Sequence, residues 1–422
     1  MKKILITGTG NIFNNGEFAM LLGVYEGISN NFCDFELNVL TNKKEECKKI
    51  IKNKKINFLN DYWVGQKKNK LVFIRSVIWN IVFLVFSRFV KMKSKHESLN
   101  AYNDCDIIVD LSGDGISTDY TVLSLYLRLY SLFCGMIAKK KIILLGQTIG
   151  PIKGRINLFL TRFILSKANV IVLREERSFD YMIRHKFLRK NLVLGTDNAL
   201  LLEPDIEGAE NVLFKNVILP NSKLIGLSPS AIVYKWFPDN ASNADMKKEY
   251  IRSVAGVIDI LIENYKFKVL LIPHVISSVD NDDLEVCKEI YKAVKNKNDI
   301  TLLPEYYNGA ILKGIIARLH FLITFRMHAA VAAISSGVPV ICWSYNDKFE
   351  GLIGDKMGLS QYIVNIRENN LSEVMKKTLI LVEQVENDYQ NITYSLKKNA
   401  ATQKGRALEN ISHIFENMGI FK

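Results

Sequence analysis

The sequence predicts an α/β protein with two doubly wound, Rossmann-like domains of parallel sheet that face a cleft. Three observations support this fold class. Short β-branched runs alternate with longer helical patterns along the chain, and most of these runs are apolar throughout. The 422 residues are about three times the usual domain size. A weakly periodic segment with two prolines, residues 203–223, divides the strands into two sets.

The order of elements sets the expected domain limits. We expect an N-terminal domain at 1–205, a C-terminal domain at 222–396, and a C-terminal helix at 397–422 that returns to the first domain. The predicted strands are Lys3–Thr7, Phe35–Leu40, Asp106–Leu111, Lys141–Leu145 and Val170–Leu173, then Leu224–Ser228, Lys268–Pro273, Ile300–Leu303, Phe321–Thr324, Val338–Trp343 and Gln361–Val364. Clear helical patterns between them include Thr121–Ala138, Lys247–Tyr265 and Asp283–Lys295.

The charge of the chain is concentrated in one region. The formal net charge is +13, and Lys43–Lys95 alone holds 15 Lys or Arg against three acidic residues. The rest of the chain is close to neutral, and it shows neither a nucleic-acid-binding module nor interleaved recognition aromatics. We therefore expect an anionic partner other than nucleic acid.

The most apolar stretch, Leu71–Val90, lies inside this basic region. It is long enough to span a bilayer, but Arg75 and Arg88 disfavour a simple span. With its lysine flanks it forms a basic amphipathic insert at about 67–95, which favours contact with an anionic membrane surface. The alternative is a core helix with exposed ends.

Two further features bear on location. The N-terminus runs directly into a strand and a glycine turn, which is not the pattern of a signal peptide. Six scattered cysteines form no CxxC pair, as expected for buried thiols of a reducing compartment. We expect a cytoplasmic protein, with the inner face of the cell membrane as its place of contact.

Polar residues follow several predicted strands of the first domain. Ligands of open α/β sheets bind beyond the carboxyl ends of the strands, so these residues are candidates for a binding site. A glycine-rich loop leads into the first helix and departs from the dinucleotide-binding pattern. The candidates are Asn14, Gly16 and Glu17 after the first strand, Asp114 and Asp119 after the third, Gln147 after the fourth, and Arg174 after the fifth.

The second domain carries the stronger candidates. Ser228 ends its first strand, and His274 follows the next. In ITFRMHAAVAA, Arg326 and His328 stand where a strand gives way to an alanine-rich helix. An arginine can hold a carboxylate or phosphate through two parallel hydrogen bonds, and a histidine adds a titratable proton. Tyr345 and Lys348 follow the next strand as further donors.

Metal and nucleotide motifs are not expected. The acidic run Asp280–Asp283 precedes a helix and is interpreted as helix capping. No HExxH, GxSxG or P-loop pattern occurs, and we expect neither a metal nor a redox cofactor.

Taken in order, several of these segments resemble the polysaccharide pyruvyl transferase family. The likeness extends from the first strand to about Leu359. It rests on NNGEFA, SGDG, GQTIGPI, LREERS, GTDNA, IPHV, FRMH and SYNDKFEGLIGDKMG. Glu17 stands where the family pattern has Asp, and SGDG replaces a more glycine-rich stretch. The resemblance implies a fold similar to the GT-B glycosyltransferases.

It also implies transfer of a pyruvyl group from phosphoenolpyruvate to a sugar of a cell-surface polysaccharide or its lipid-linked precursor, which forms a pyruvate ketal. Arg326, His328 and His274 would be catalytic, and Lys348, Tyr345 and Ser228 would join Arg326 in binding the donor. The first-domain candidates, from Asn14 to Arg174, would face the acceptor. Two alternatives stay open at this point: a nucleotide-sugar glycosyltransferase, and a family member that binds glycans without catalysis.

Overall fold

The computed structural model describes residues 1–52, 55–61, 70–90, 92–216, 223–238, 242–276, 281–345 and 348–420. The chain forms two compact units. The first comprises Met1–Ile12, Met20–Leu201 and Arg406–Lys422, and the second comprises Phe13–Ala19 and Leu202–Gly405. The short segment Phe13–Ala19 therefore belongs to the second unit, although unit 1 residues flank it on both sides.

The first unit is built on a seven-stranded, all-parallel sheet of order β3-β2-β1-β4-β5-β6-β7. The strands are β1 (Lys2–Thr7), β2 (Phe35–Thr41), β3 (Ile56–Asn60), β4 (Ile107–Asp110), β5 (Lys141–Gln147), β6 (Val170–Leu173) and β7 (Leu192–Leu194). The helices that begin between them are α1 (Asn15–Ser29), α2 (Lys44–Ile50), α3 (Lys70–Phe86), α4 (Glu97–Asp104), α5 (Val122–Ile137), α6 (Arg155–Leu165) and α7 (Glu176–Arg184).

The second unit repeats this design with six parallel strands in the order β10-β9-β8-β11-β12-β13. They are β8 (Leu224–Ser228), β9 (Lys268–Leu271), β10 (Ile300–Leu302), β11 (Leu322–Thr324), β12 (Val340–Ser344) and β13 (Ile363–Asn365). The helices that begin in this part of the chain are α8 (Ile206–Lys215), α9 (Asn243–Tyr265), α10 (Asp283–Ala293), α11 (Gly309–Ile316), α12 (Met327–Ser335), α13 (Leu371–Asn387) and α14 (Tyr389–Met418). The predicted class, two doubly wound α/β domains, is confirmed.

The strand order determines where a ligand can bind. Each sheet reverses its order beside its first strand, between β1 and β4 in the first unit and between β8 and β11 in the second. At such a switch point the connections leave in opposite directions and open a crevice beyond the carboxyl ends of the strands.

The prediction that residues 203–223 only separate the two sets of strands is wrong, and two strands of the first sheet are missing from the predicted set. Residues 203–223 are not a plain linker, because they contain α8, whose N-terminus is capped when the Asp205 side chain accepts a hydrogen bond from Gly208 N at 2.8 Å. The strands β3 and β7 were also not predicted. β3 has only one buried residue, Phe58, and its apolar run is interrupted by Asn57, whereas β7 is apolar but has only three residues.

The apolar stretch Leu71–Val90 forms most of α3. Its buried side chains Phe83 and Leu84 join the core that α4, α5, α6 and α7 build on one face of the first sheet. Within the described ranges, no helix combines the length and the apolarity that a membrane crossing requires. Residues 62–69 of the predicted insert, and Lys91, lie outside the described residues.

Candidate functional site

The site lies at the switch point of the second unit. Ser228 ends β8 and pairs with Thr324, the last residue of β11. Ser228 is fully buried, and its Oγ atom has no hydrogen-bond partner. A buried polar atom without a partner is uncommon, because it loses its hydrogen bonds to water without replacement. Here it lies at the edge of the sheet where a ligand is expected.

Arg326 follows β11 and precedes α12. Its guanidinium contacts the fully buried carboxylate of Asp283 through two bonds, Nε to Oδ2 at 3.0 Å and Nη2 to Oδ1 at 2.5 Å. Nη2 also donates to Asn281 Oδ1 at 2.5 Å. The two parallel hydrogen bonds that were expected to bind an anionic ligand are therefore made to Asp283. The Nη1 group of Arg326 is the donor that remains for a ligand.

Asp283 also fixes the surrounding backbone. Its Oδ1 accepts from Ala231 N and its Oδ2 from Val275 N, both at 2.9 Å. One buried carboxylate thus joins the loops after β8 and β9 to the arginine after β11. The Asp283 carboxylate balances the positive charge of Arg326. This attraction offsets the desolvation cost of burying the guanidinium.

His328, in the first turn of α12, lies against Gly16. A methyl group added at Gly16 would be 2.7 Å from Cγ and 2.9 Å from Cε1 of the imidazole, and closer still to Nδ1. Gly16 is the second residue of α1, so the first turns of α1 and α12 meet here. Because a side chain at position 16 would collide with the ring, the glycine of NNGEFA is needed for space.

The loop that carries Gly16 is bound to the loop after β9. Phe13 O accepts from Ile276 N at 3.0 Å, and the Asn15 side chain donates to His274 O at 3.0 Å. Asn14 forms an isolated antiparallel bridge with Val275 and caps α1, its Oδ1 accepting from Gly16 N at 3.1 Å. These bonds keep residues 13–16 in the second unit.

His274 is buried, and neither nitrogen of its ring has a hydrogen-bond partner. Burial lowers the pKa of His274 to about 3, and the positive charges of His328 and Arg326 lower it further in the same direction. At neutral pH His274 is an uncharged imidazole that can exchange hydrogen bonds with a ligand but carries no proton to deliver.

Tyr345 and Lys348 follow β12. The Tyr345 ring stacks on Trp236 with centroids 5.7 Å apart, and burial raises the pKa of its hydroxyl, so that group stays a neutral donor. Burial lowers the pKa of Lys348 to about 7. Lys348 therefore changes its charge in the physiological range and would gain a full charge beside a bound anion.

The structure brings Arg326, His328, His274 and Tyr345 together. Three residues that were expected on the first-domain side belong to the same unit. Asn14, Gly16 and Glu17 belong to the second unit. The reason is the bonding of residues 13–15 to the loop after β9. Glu17 accepts from Asn14 Nδ2 at 3.2 Å.

The first-unit candidates separate into two groups. Asp114 is partly exposed, with Oδ2 accepting from the Tyr120 hydroxyl at 2.6 Å, and Asp119 is exposed. Gln147 and Arg174 are fully buried, contrary to the expectation of acceptor contacts. Gln147 donates to the backbone of β4, and Arg174 forms an ion pair with Asp197 at 2.7 Å, so both support the sheet edge from inside.

Sequence reasoning missed Asp283, Asn281 and Asn15. The acidic run was interpreted as capping, and Asp282 does cap α10, accepting from Leu284 N at 2.9 Å. Its neighbour Asp283 points inward to Arg326. Asp280 lies outside the described residues. In the part of the chain that the structure describes, no group of three or more His, Cys, Asp and Glu side chains is arranged to hold a metal ion.

Comparison with known proteins identifies relatives of the whole chain. A family model described as polysaccharide pyruvyl transferase matches residues 14–347. The amylovoran biosynthesis protein AmsJ of Erwinia amylovora is 23% identical over 411 residues, which cover 94% of this chain and 96% of that protein.

Solved structures agree on the fold. MnaA of S. aureus, in its UDP co-structure, superposes with a TM-score of 0.62 at 14% identity, covering 100% of this chain and 98% of that one. The UDP-GlcNAc 2-epimerase of Neisseria meningitidis, bound to UDP-GlcNAc, gives 0.61 at 12% identity and covers 100% of both chains. These likenesses place the two units in a GT-B-like fold.

Proposed function

We propose a specific reaction on the premise that the chain belongs to the polysaccharide pyruvyl transferase family. In this proposal it transfers a pyruvyl group from phosphoenolpyruvate to a glycan and forms a pyruvate ketal. Family membership itself makes the chain a transferase with a pyruvyl-transfer role in polysaccharide biosynthesis and a glycan as its acceptor. What we propose beyond this family role is the identity of the donor, the ketal product and the role of each residue.

The observation that carries the proposal is the polar cluster at the second switch point. Ser228 Oγ lies there without a partner, and Arg326 has its Nη1 left for a ligand. The first turns of α1 and α12 meet beside them, and the partial positive charge of a helix N-terminus attracts anions. Phosphoenolpyruvate carries two anionic groups, a carboxylate and a phosphate, which suit such a cluster and Lys348.

The reaction makes definite demands on these residues. Two sugar hydroxyl oxygens form bonds to C2 of phosphoenolpyruvate, and the bond from C2 to the phosphate oxygen breaks. The methylene carbon C3 gains one proton and becomes the methyl group. The two hydroxyl protons balance this gain and the protonation of the departing phosphate. No oxidation occurs, so no redox cofactor is needed.

His328 is the proposed acid and base. Its Nδ1 edge faces Gly16, so Nε2 is the atom assigned to proton exchange with the substrate. His274 is unsuited to deliver a proton because burial keeps its ring neutral. We assign His274 to hydrogen bonding with the donor. A positioned acid or base contributes about 10²–10⁴-fold to a rate, and His328→Asn should therefore lower turnover by about 10² or more.

The acceptor contacts are assigned to the polar side chains that remain accessible. In the second unit these are Asn14 and Glu17. We place the protein in the cytoplasm. Five of its six cysteines are buried free thiols and Cys33 is an exposed one, as suits a reducing compartment.

The test uses Ser228→Ala. Because this hydroxyl is buried and unpartnered, its removal should leave stability unchanged or slightly higher, so that a loss of binding is not a loss of folding. Calorimetric titration with phosphoenolpyruvate should give saturable binding to the wild type. Affinity should be about tenfold weaker in the variant, since one hydrogen bond to a charged group contributes about 1.5 kcal/mol or more.

Ser98→Ala is the matched control. Ser98 in α4 of the first unit is also fully buried with an unpartnered hydroxyl, and its loss should leave affinity unchanged. Selective binding of nucleotide sugars in place of phosphoenolpyruvate would refute the proposed donor and favour glycosyl transfer. Glycan binding with no phosphate release would favour a non-catalytic member of the family.

A further inference from the structure

Three helices of the first unit expose a broad apolar surface, which we call the outer helical face. It consists of exposed side chains from α3, α5 and α6 that no described part of the chain covers: Ile78, Trp79, Val82 and Phe86; Val122, Leu123 and Tyr126; and Ile156, Phe159 and Phe163. The exposed fraction is 60% at Trp79, 62% at Phe159 and 72% at Ile156. Isolated exposed apolar residues are ordinary, but a clustered set marks an interaction surface.

The three helices face the same way. Their opposite sides, represented by Leu84, Leu129 and Leu165, lie in one hydrophobic core cluster. The exposed sides therefore all point away from that core. The Tyr126 hydroxyl donates to Asn157 Oδ1 at 2.7 Å and joins the outer sides of α5 and α6 directly. The apolar side chains thus form one face and not three separate patches.

The charged residues within these three helices have a single sign. None of the three helices contains an Asp or a Glu. Exposed cations stand among the apolar side chains at Arg75 and Arg88 around α3 and at Arg155 and Lys167 around α6. Two of them lie near aromatic rings. Arg88 is 5.7 Å from the ring centroid of its neighbour Phe89, and Lys167 is 5.6 Å from that of Phe163, which belongs to the face.

We propose that the outer helical face docks this protein on the surface of an anionic lipid bilayer. Its aromatic and aliphatic side chains would enter the boundary between headgroups and acyl chains, and its cations would contact the anionic headgroups. A lipid surface fits better than a protein partner because every charge on the three helices is positive and the apolar area extends over all three. The inference concerns the first unit and stands independently of the proposed donor.

Vesicle flotation with the full-length protein tests this. The wild type should float with vesicles of phosphatidylglycerol and phosphatidylcholine at a ratio of 3:7, a composition on the order of natural anionic surfaces. It should stay unbound with vesicles of phosphatidylcholine alone. Salt at 0.5 M should weaken the binding to anionic vesicles, because the Debye length shortens from about 10 Å at 0.1 M to about 3 Å at 1 M.

The double variant Ile156→Glu with Phe159→Glu should float at least tenfold less, while its melting temperature stays near that of the wild type because both side chains are exposed. Phe214→Glu is the matched control. Phe214 is 85% exposed on α8 of the second unit and should not affect flotation. Equal flotation of the double variant and the wild type, or equal losses in the double variant and the control, would overturn the proposal.

Trp79 gives a second, direct readout. Lipids with brominated acyl chains should quench the fluorescence of the wild type on anionic vesicles, and Trp79→Phe should lose that quenching. A wild type that stays with the unbound fraction on anionic vesicles contradicts the proposal. A wild type that sediments as a dimer, with a monomeric double variant and no flotation of either, would assign the face to self-association instead.

Discussion

Replacing Gly16 with alanine tests whether His328 needs its observed position. The added methyl would lie 2.7 Å from Cγ and 2.9 Å from Cε1 of His328, whereas carbon atoms in contact are usually about 3.5–4.0 Å apart. The imidazole therefore has to retreat by about 1 Å or leave its rotamer. A misplacement of about 1 Å lowers catalysis about 10²-fold, or about 2.7 kcal/mol in the barrier.

Phosphate release from phosphoenolpyruvate in the presence of a panel of glycan acceptors measures the effect, and the ring-proton resonances of the histidines report whether His328 has moved. The His328→Asn spectrum identifies the resonance that belongs to His328. Gly256→Ala is the control, because Gly256 lies within α9 and an added methyl meets nothing within 4 Å.

The control should gain about 1 kcal/mol of stability from the better helix former, with unchanged turnover. Overpacking at Gly16, in contrast, should cost about 1–3 kcal/mol of stability. If Gly16→Ala keeps the wild-type histidine resonances and the wild-type rate, the close approach of Gly16 and His328 does not exist in solution and the assignment of His328 falls with it.

Three further predictions concern the charges of the site. The pKa of His274 falls from 6.5 to about 3 on folding, so the unfolded chain binds the extra proton and stability declines as the pH drops from 6.5 towards 3. Between pH 7 and pH 5 the free energy of unfolding should fall by about 2 kcal/mol on account of His274. Urea unfolding of His274→Gln should show a fall that is smaller by this amount. Because the pKa of Lys348 is about 7, this amine is mostly neutral at pH 8 and should take up a proton when phosphoenolpyruvate binds. The binding enthalpy should then depend on the buffer, and Lys348→Gln should abolish that dependence. A binding enthalpy of the wild type that does not depend on the buffer contradicts this. Asp283→Asn leaves Arg326 buried without a counter-charge and should cost about 3–5 kcal/mol in unfolding measurements, whereas a loss below about 1 kcal/mol would mean that the pair is dispensable.

Most of the sheet architecture could be predicted because parallel strands are buried on both faces. Leu224–Ser228, for example, is apolar up to its last residue, and the strand has the predicted limits. The strand β3 could not be found this way, since only Phe58 of INFLN is buried and Asn57 interrupts its apolar run. The helix α8 was missed because its cap, Asp205, stands in a proline-containing stretch that favours a loop interpretation.

The candidate site was predictable only in part, for a related reason. Arg326 and His328 follow a strand and open a helix, and that local pattern is visible in the sequence. Their partners are not local. Asp283 reaches Arg326 from 43 positions away, and the Asn15 side chain reaches His274 O across 259 positions. Pairings of this kind depend on how the strands are ordered, which composition and periodicity do not contain.

The place of Phe13–Ala19 within the second unit has a consequence for biosynthesis. This segment leaves the ribosome well before its partner His274, which follows Asn15 by 259 positions. At about 5–20 residues per second, the segment waits roughly 13–50 s for the strands against which it packs. A chain that stops short of β9 has every strand of the first sheet but lacks His274, Asp283, Arg326 and His328 of the candidate site. The candidate site can therefore be assembled only after α12, which carries His328, has been synthesised.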